Sequence, residues 1–225
     1  MRKNKFKMQL LSDLCIIIIV NTLRSAYMDN DVVEIQLQIQ PEIIEEDKIL
    51  IVKAKKNPAS AGKLYDKYYS EILGYIYHST LDSCVTEDLT SNVFLAAFKH
   101  LDRFKWKEIP FRAWLYRIAT NEIRTHWRRQ KRAATIEKPT HEPVSNEPAG
   151  GENIAALEEY LLLHKALSEL KLKYRTVIIL RYFEDKNISE ICDITGKKEG
   201  TVKCQLHRGL AKLQDILTGW GLLPE

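Results

Sequence analysis

Apolar residues along this chain recur at helical intervals. Leu64, Tyr68, Ile72 and Tyr75/Ile76 form one stripe, and Leu89, Val93, Ala97 and Leu101 a second. Trp114/Leu115, Ile118/Ala119 and Ile123 with Trp127 form a third. Pro110 separates the second and third, which predicts a loop from about Arg103 to Pro110. Asp88 is placed to cap, or to complement by charge, the N-terminus of the second helix. Further on, Ala156, Tyr160, Leu163, Leu167 and Leu170 make another amphipathic helix, followed by the apolar segment Tyr174–Phe183. No strand-like alternation of any length appears in the first module, and the expected fold class is all-α.

The stripes fall into two groups. Between them, Ala133–Asn153 carries Pro139, Pro143, Pro148, Gly150 and Gly151 with several glutamates, and reads as a flexible, somewhat acidic linker. The expected organisation is an N-terminal extension over 1–47, a helical domain over 48–132, the linker over 133–153 and a second helical domain over 154–219.

The end of the second domain carries the clearest chemistry. Ile188, Ile191 and Ile194 repeat at helical spacing, Gly196 suits the left-handed residue that ends a helix, and Val202, Leu206, Leu210, Leu213 and Leu217 resume the stripe. Opposite that second stripe lie Gly200, Thr201, Cys204 and Arg208, flanked by Lys203 and His207 on one shoulder and Gln205 on the other. Between positions 196 and 212, five cations (Lys197, Lys198, Lys203, Arg208, Lys212) face one acid, Glu199. A helix buried along one stripe, with small, amide and cationic groups outward, fits a DNA major groove as the second helix of a helix-turn-helix. In the first domain the third stripe runs into Arg117, Arg124, Arg128, Arg129, Lys131 and Arg132, opposed by Glu122. Aromatic residues are interleaved there, and a basic-aromatic surface suits unpaired nucleic acid. Phe104 and Trp106, in the loop, are the rings expected to touch it.

Composition refines the picture. The net charge is only +4 over 225 residues, so the placement of the basic residues matters more than their excess. The four cysteines, Cys15, Cys84, Cys192 and Cys204, show no paired spacing, which argues for a reducing compartment. Cys192 lies on the inner side of its helix and Cys204 on the outer, so with His207 they are not expected to hold a metal. Arg2, Lys3, Lys5 and Lys7 precede the apolar run Ile16–Val20, which is too short to span a bilayer and lacks a cleavage site. This segment is expected to be an extension upstream of a start at Met28, and the protein to be cytoplasmic.

Two segments together resemble a known family. DLTSNVFLAAFKHLDRF at Asp88–Phe104 and FRAWLYRIATNEIRTHWRR at Phe111–Arg129 resemble region 2 of bacterial sigma factors. Leu170–Leu213, with LRYFEDKNISEICDITGKKEGTVKCQLHRGLAKL, resembles region 4. The short linker and the lack of a region between them are similar to the extracytoplasmic-function group.

That resemblance implies a transcription initiation factor that binds core RNA polymerase and promoter DNA, with no cofactor, no small-molecule substrate and no catalysis of its own. The polymerase-binding surface would include Asp88, Leu89, Ser91, Asn92 and Leu95, where Ser91-Asn92 replaces the family's usual Gln-Glu pair. Phe104 and Asn121 match positions that capture a flipped base of the melted −10 element, with Trp106, Arg124, Arg128 and Arg129 completing the surface. Lys203, Cys204, Gln205, His207 and Arg208 match positions that read the −35 element, and Thr201 a phosphate contact. Gln205 pairs bidentately with adenine where an arginine prefers guanine, so a departure from the common −35 preference is expected. The resemblance also implies an anti-sigma factor as partner, often membrane-bound in this group. A free-standing helix-turn-helix regulator is the alternative; an enzyme finds no acid pair, nucleophile–base set or metal spacing to support it.

Overall fold

The computed structural model describes residues 40–106, 109–136 and 154–222; the segment around Ile16–Val20 and most of the expected linker lie outside them. The described residues form eight α-helices and two short 3₁₀ turns, in the order α1 (Gln40–Lys56), α2 (Gly62–Thr80), α3 (Ser83–Lys99), α4 (Phe111–Ile136), α5 (Ile154–Glu169), α6 (Leu172–Tyr182), α7 (Ile188–Thr195) and α8 (Glu199–Gly219). The turns are Pro58–Ala61 and Leu101–Arg103.

The first module packs α2, α3 and α4 around the three stripes read from the sequence. Leu64, Ile72, Tyr75 and Ile76 from α2, Val93 and Ala97 from α3, and Phe111, Leu115, Tyr116 and Ala119 from α4 are almost wholly buried. Inside this core the Tyr75 hydroxyl and Thr120 share a 2.9 Å hydrogen bond, so the tyrosine is buried with its polar end satisfied.

Two expectations are corrected here. Helix α3 starts at Ser83, and its cap is Asp82, whose carboxylate accepts from the Val85 N–H at 3.0 Å. Asp88 therefore sits beyond the first turn, exposed, where neither a cap nor the helix dipole can use it. The boundary expected at 47/48 falls inside α1. Asp47 is buried there, accepting from Lys67 Nζ at 2.7 Å and, more tightly, from the Tyr68 hydroxyl. A carboxylate that binds α2 in this way makes its helix part of the fold, and no apolar pattern betrays it.

The second module packs α5 and α6 against the α7–α8 hairpin. Asn187 and Glu190 form a reciprocal capping box at the start of α7, and Gly196 ends that helix at φ 67°, as its position in the sequence suggested. Val202, Leu206, Leu213 and Leu217 bury the inner face of α8, while Leu210 is only partly covered. Gly209 does the close packing instead. A Cβ there would meet Ile178 Cδ1 at 3.1 Å and Tyr174 Cβ at 3.2 Å, so the absence of a side chain lets α8 approach α6. Gly209→Val should wedge the two helices apart and cost about 1–3 kcal/mol, read as a fall in melting temperature of roughly 3–10 °C. An unchanged melting curve would show that the crossing is not tight.

Candidate nucleic-acid interface

The outward face of α8 is as the helical periodicity requires. Thr201, Lys203, Cys204, His207 and Arg208 are exposed, and Gln205 is half-buried. Lys203 pairs with Glu199 one turn earlier at 2.6 Å. Beside this face, Lys173 and Tyr174 of α6 join Gly200, Thr201, Cys204, Gln205 and Arg208 around a shallow cleft of about 340 Å³. Lys173 and Tyr174 are remote in sequence from α8, so periodicity alone could not include them.

One contact changes the chemistry expected of Gln205. Lys197, in the turn before α8, donates from Nζ to Gln205 Oε1 at 2.8 Å. Burial, then the charges of Arg124 and Lys173, lower the pKa of the Lys197 ammonium. That bond uses one of the two lone pairs of the Gln205 amide oxygen. A bidentate adenine contact needs both oxygen and nitrogen, so Lys197 competes for one of the groups that such a contact would use.

In the first module, Asn121, Arg124, Arg128 and Arg129 lie exposed along α4, and the Arg124 guanidinium reaches the Asn121 amide oxygen at 3.5 Å. Phe104 departs from expectation. It is 5% exposed, packed against Phe111 and Trp114 at ring separations of 5.4 and 5.0 Å, with Trp106 edge-on at 5.9 Å. Its carbonyl accepts from Lys55 Nζ of α1 at 2.9 Å, so the loop is held from below by a helix that the sequence reading did not include. Trp106 is half-buried. Trp114, expected in the core, instead lines a cleft of about 360 Å³ between α3 and α4 with His100, Arg103, Ile118, Asn121 and Glu122.

The expected polymerase face lies on α3. Asp88, Ser91, Asn92 and Leu95 are exposed there, and Leu95, at 67%, is the most exposed of the large apolar residues described. Leu89, at 7%, points into the core and is removed from that face: at one residue from Asp88, a helix turns by 100°.

The two modules pack against each other, which no motif announced. Helix α4 lies against α7, where Arg117 donates from Nε and Nη2 to the Asp193 carbonyl at 3.2 and 2.5 Å. Arg175 of α6 places its guanidinium 4.6 Å from the Trp127 ring centroid of α4. The centre of the contact is ionic. Lys186, 3% exposed, reaches Glu71 Oε1 of α2 at 2.7 Å and lies over the Tyr116 ring. Arg112 reaches the same oxygen at 2.5 Å. Burial opposes ionisation of Glu71, but the two cations outweigh it and hold its carboxyl below the usual range.

Comparison with known proteins agrees with this architecture. The sigma-70 region 2 family model matches residues 64–133, and the sigma-70 region 4 model residues 160–213. The ECF RNA polymerase sigma factor BldN of Streptomyces coelicolor is 29% identical over 172 residues, 75% of this chain and 64% of the length of BldN. SigL of Mycobacterium tuberculosis is 29% identical over 159 residues, 71% of this chain and 89% of SigL. CnrH, solved with the cytosolic domain of CnrY, shares the fold with a TM-score of 0.59 at 24% identity, over 77% of this chain and 97% of that one. RpoE of Bartonella quintana, solved with the anti-sigma factor NepR, does so with a TM-score of 0.54 at 22% identity, over 69% and 97%. Region 2 followed by region 4, on described residues that are almost wholly helical, is the arrangement of a sigma factor. The chain belongs to the sigma-70 family, in its extracytoplasmic-function group.

The buried ionic centre makes an ordering testable. Lys186→Met should destabilise the protein by about 3 kcal/mol, because it takes a fully buried cation from a half-buried carboxylate. Arg112→Met should cost less, since that side chain is 43% exposed and water can partly replace it. Urea unfolding of the two variants measures the order, and equal costs would refute it.

Proposed function

We propose that this protein binds core RNA polymerase and directs it to promoters, with no catalysis of its own. The observation that carries the reading is the pairing, on one chain of this family, of two outward faces of different character. One is the polar α8 face; the other is the α3 face, where Leu95 stands exposed among Asp88, Ser91 and Asn92. An isolated apolar side chain in a polar surround suits an anchor for a partner protein.

In this reading α8 enters the major groove of the −35 element, with Thr201 and the helix N-terminus on phosphate and Lys203, Cys204, Gln205, His207 and Arg208 toward bases. Lys197 acts as a positioning residue. By holding the Gln205 oxygen it leaves the amide N–H for base acceptors, such as guanine O6 or thymine O4. The melted −10 strand runs along Trp106, Asn121, Arg124, Arg128 and Arg129. The cleft between α3 and α4 takes an extruded base, with Trp114 as its aromatic wall in place of Phe104. Capturing unpaired bases makes melting favourable without nucleotide hydrolysis. An anti-sigma factor is the expected regulator, supported by the solved complex of RpoE with the anti-sigma factor NepR. The place of action is the cytoplasm; no described helix is long and apolar enough to cross a membrane.

Run-off transcription with purified core polymerase tests the central reading: specific initiation is expected, and tight duplex binding without any polymerase dependence would favour a free-standing regulator. Leu95→Asp should weaken core binding at least tenfold while leaving helicity unchanged. Lys197→Met should alter base preference at one −35 position by roughly tenfold, the scale of one side chain–base contact. An unaltered selected sequence would remove Lys197 from the account.

A further inference from the structure

At the module interface, one proton is shared in a way that charges alone do not allow. The Tyr116 hydroxyl lies 2.9 Å from Glu71 Oε1 and 2.7 Å from Glu184 Oε2. A phenol has one O–H and can donate to only one of them. The other contact needs a proton on a carboxyl. Arg112 and Lys186, both on its Oε1, keep Glu71 ionised. Two carboxyls thus converge on one hydroxyl across the interface, and Glu71 is the one held ionised, which leaves Glu184 as the one to take up a proton.

Glu184 is presented for this role by an uncommon turn. Asp185, next to it, adopts a left-handed φ of 49°, and Lys186 follows with its ammonium buried. All three residues belong to the α6–α7 turn of the second module, whereas Glu71 and Tyr116 belong to the first. We propose that the docked modules are a proton-gated closed state, in which Glu184 takes up a proton on docking against Tyr116 and releases it on opening.

Closure matters because of distance, a step that rests on the DNA-reading roles proposed above. Elements centred near −35 and −10 lie roughly 25 base pairs apart, about 85 Å at 3.4 Å per base pair. A compact body of this size has a radius of gyration of about 16 Å and a diameter near 40 Å. With α4 packed on α7, one molecule cannot reach both elements, and the modules must separate.

The direction of the pH effect follows from the groups around Glu184. Burial pushes its carboxyl up to about 7, with the charge of Glu71 in α2 acting the same way, against the Tyr116 hydroxyl and the cations Lys186 and Arg112. Tyr75 of α2 and Tyr116 of α4 face it as neutral phenols, both held well above their ordinary range, chiefly by burial. Once the modules part, Glu184 returns to the ordinary carboxyl range. Docking is thus favoured by the extra proton at low pH, and that contribution is lost as pH rises toward 7. His78 of α2 and His164 of α5 stack beside the neighbouring Phe183, with the His78 ring bonded to the Tyr160 hydroxyl at 2.9 Å. Burial lowers both, His164 to about 4, so their protonation opposes docking in acid. A comparison that cancels the histidines is therefore required.

Small-angle scattering of the full chain from pH 5 to 8.5, for wild type and Glu184→Gln, supplies it. The amide keeps a donor to Tyr116 but cannot titrate. The ratio of opening constants, wild type to Glu184→Gln, should rise with pH by up to tenfold per unit and level off near 7. Tyr116→Phe should open more readily than wild type at pH 6. A ratio that does not change with pH overturns the proposal, as does a Tyr116→Phe protein as closed as wild type. Run-off transcription on the same samples keeps the two readings apart: transcription with a flat ratio overturns the latch alone. A rising ratio without transcription keeps the latch and overturns the promoter reading.

Discussion

The arrangement of this molecule depends on one half-buried carboxylate. Glu71 sits on the helix that carries most of the first module's core, and it gathers Arg112 and Tyr116 from α4 and Lys186 from the second module onto a single oxygen. Desolvating these charges is costly, and the attraction between them repays that cost only when each donor is in place. Such a contact adds little net stability compared with an apolar one of the same size. It is demanding about geometry, however, and so it fixes how the two modules meet.

Around that centre the apolar contacts follow ordinary rules. The helical stripes of the two modules join in one buried apolar cluster, and two devices bring helices near: Gly209 between α6 and α8, and the buried Tyr75–Thr120 pair between α2 and α4. The faces proposed to read DNA are what remains when those stripes are buried. They are rigid because their helices are capped and packed, with Asn187 and Glu190 fixing the start of α7 and Gly196 its end. A polar face on a rigid helix presents its side chains in fixed register, which base readout needs. The modules meet through charged and aromatic groups as well as apolar ones, since the buried residues of both join in one cluster.

Much of this was legible in the chain. The stripes at Leu64–Ile76, Leu89–Leu101 and Trp114–Trp127, and the hairpin with its Gly196 turn, each follow from a periodicity that only one kind of element satisfies. The faces opposite those stripes were therefore legible too, which is why Ser91, Asn92, Leu95, Thr201 and Arg208 stand outward as read. Single residues at the edge of a stripe were not. Phe104 turned inward because its orientation depends on neighbouring helices, and α1, whose Asp47 and Lys55 tie it to the first module, carries no strong stripe of its own.

What the sequence determined by itself is the set of helices and the side of each that must be dry, since burial of apolar area at 3.6-residue spacing is a local property of the chain. What only the tertiary structure decided is which polar groups meet. Glu71 and Lys186 lie 115 residues apart, and Lys197 acquires its role from a glutamine two turns into the next helix. No periodicity encodes such pairs. Their pairing and their hydrogen bonds arise only when packing has already brought the helices together.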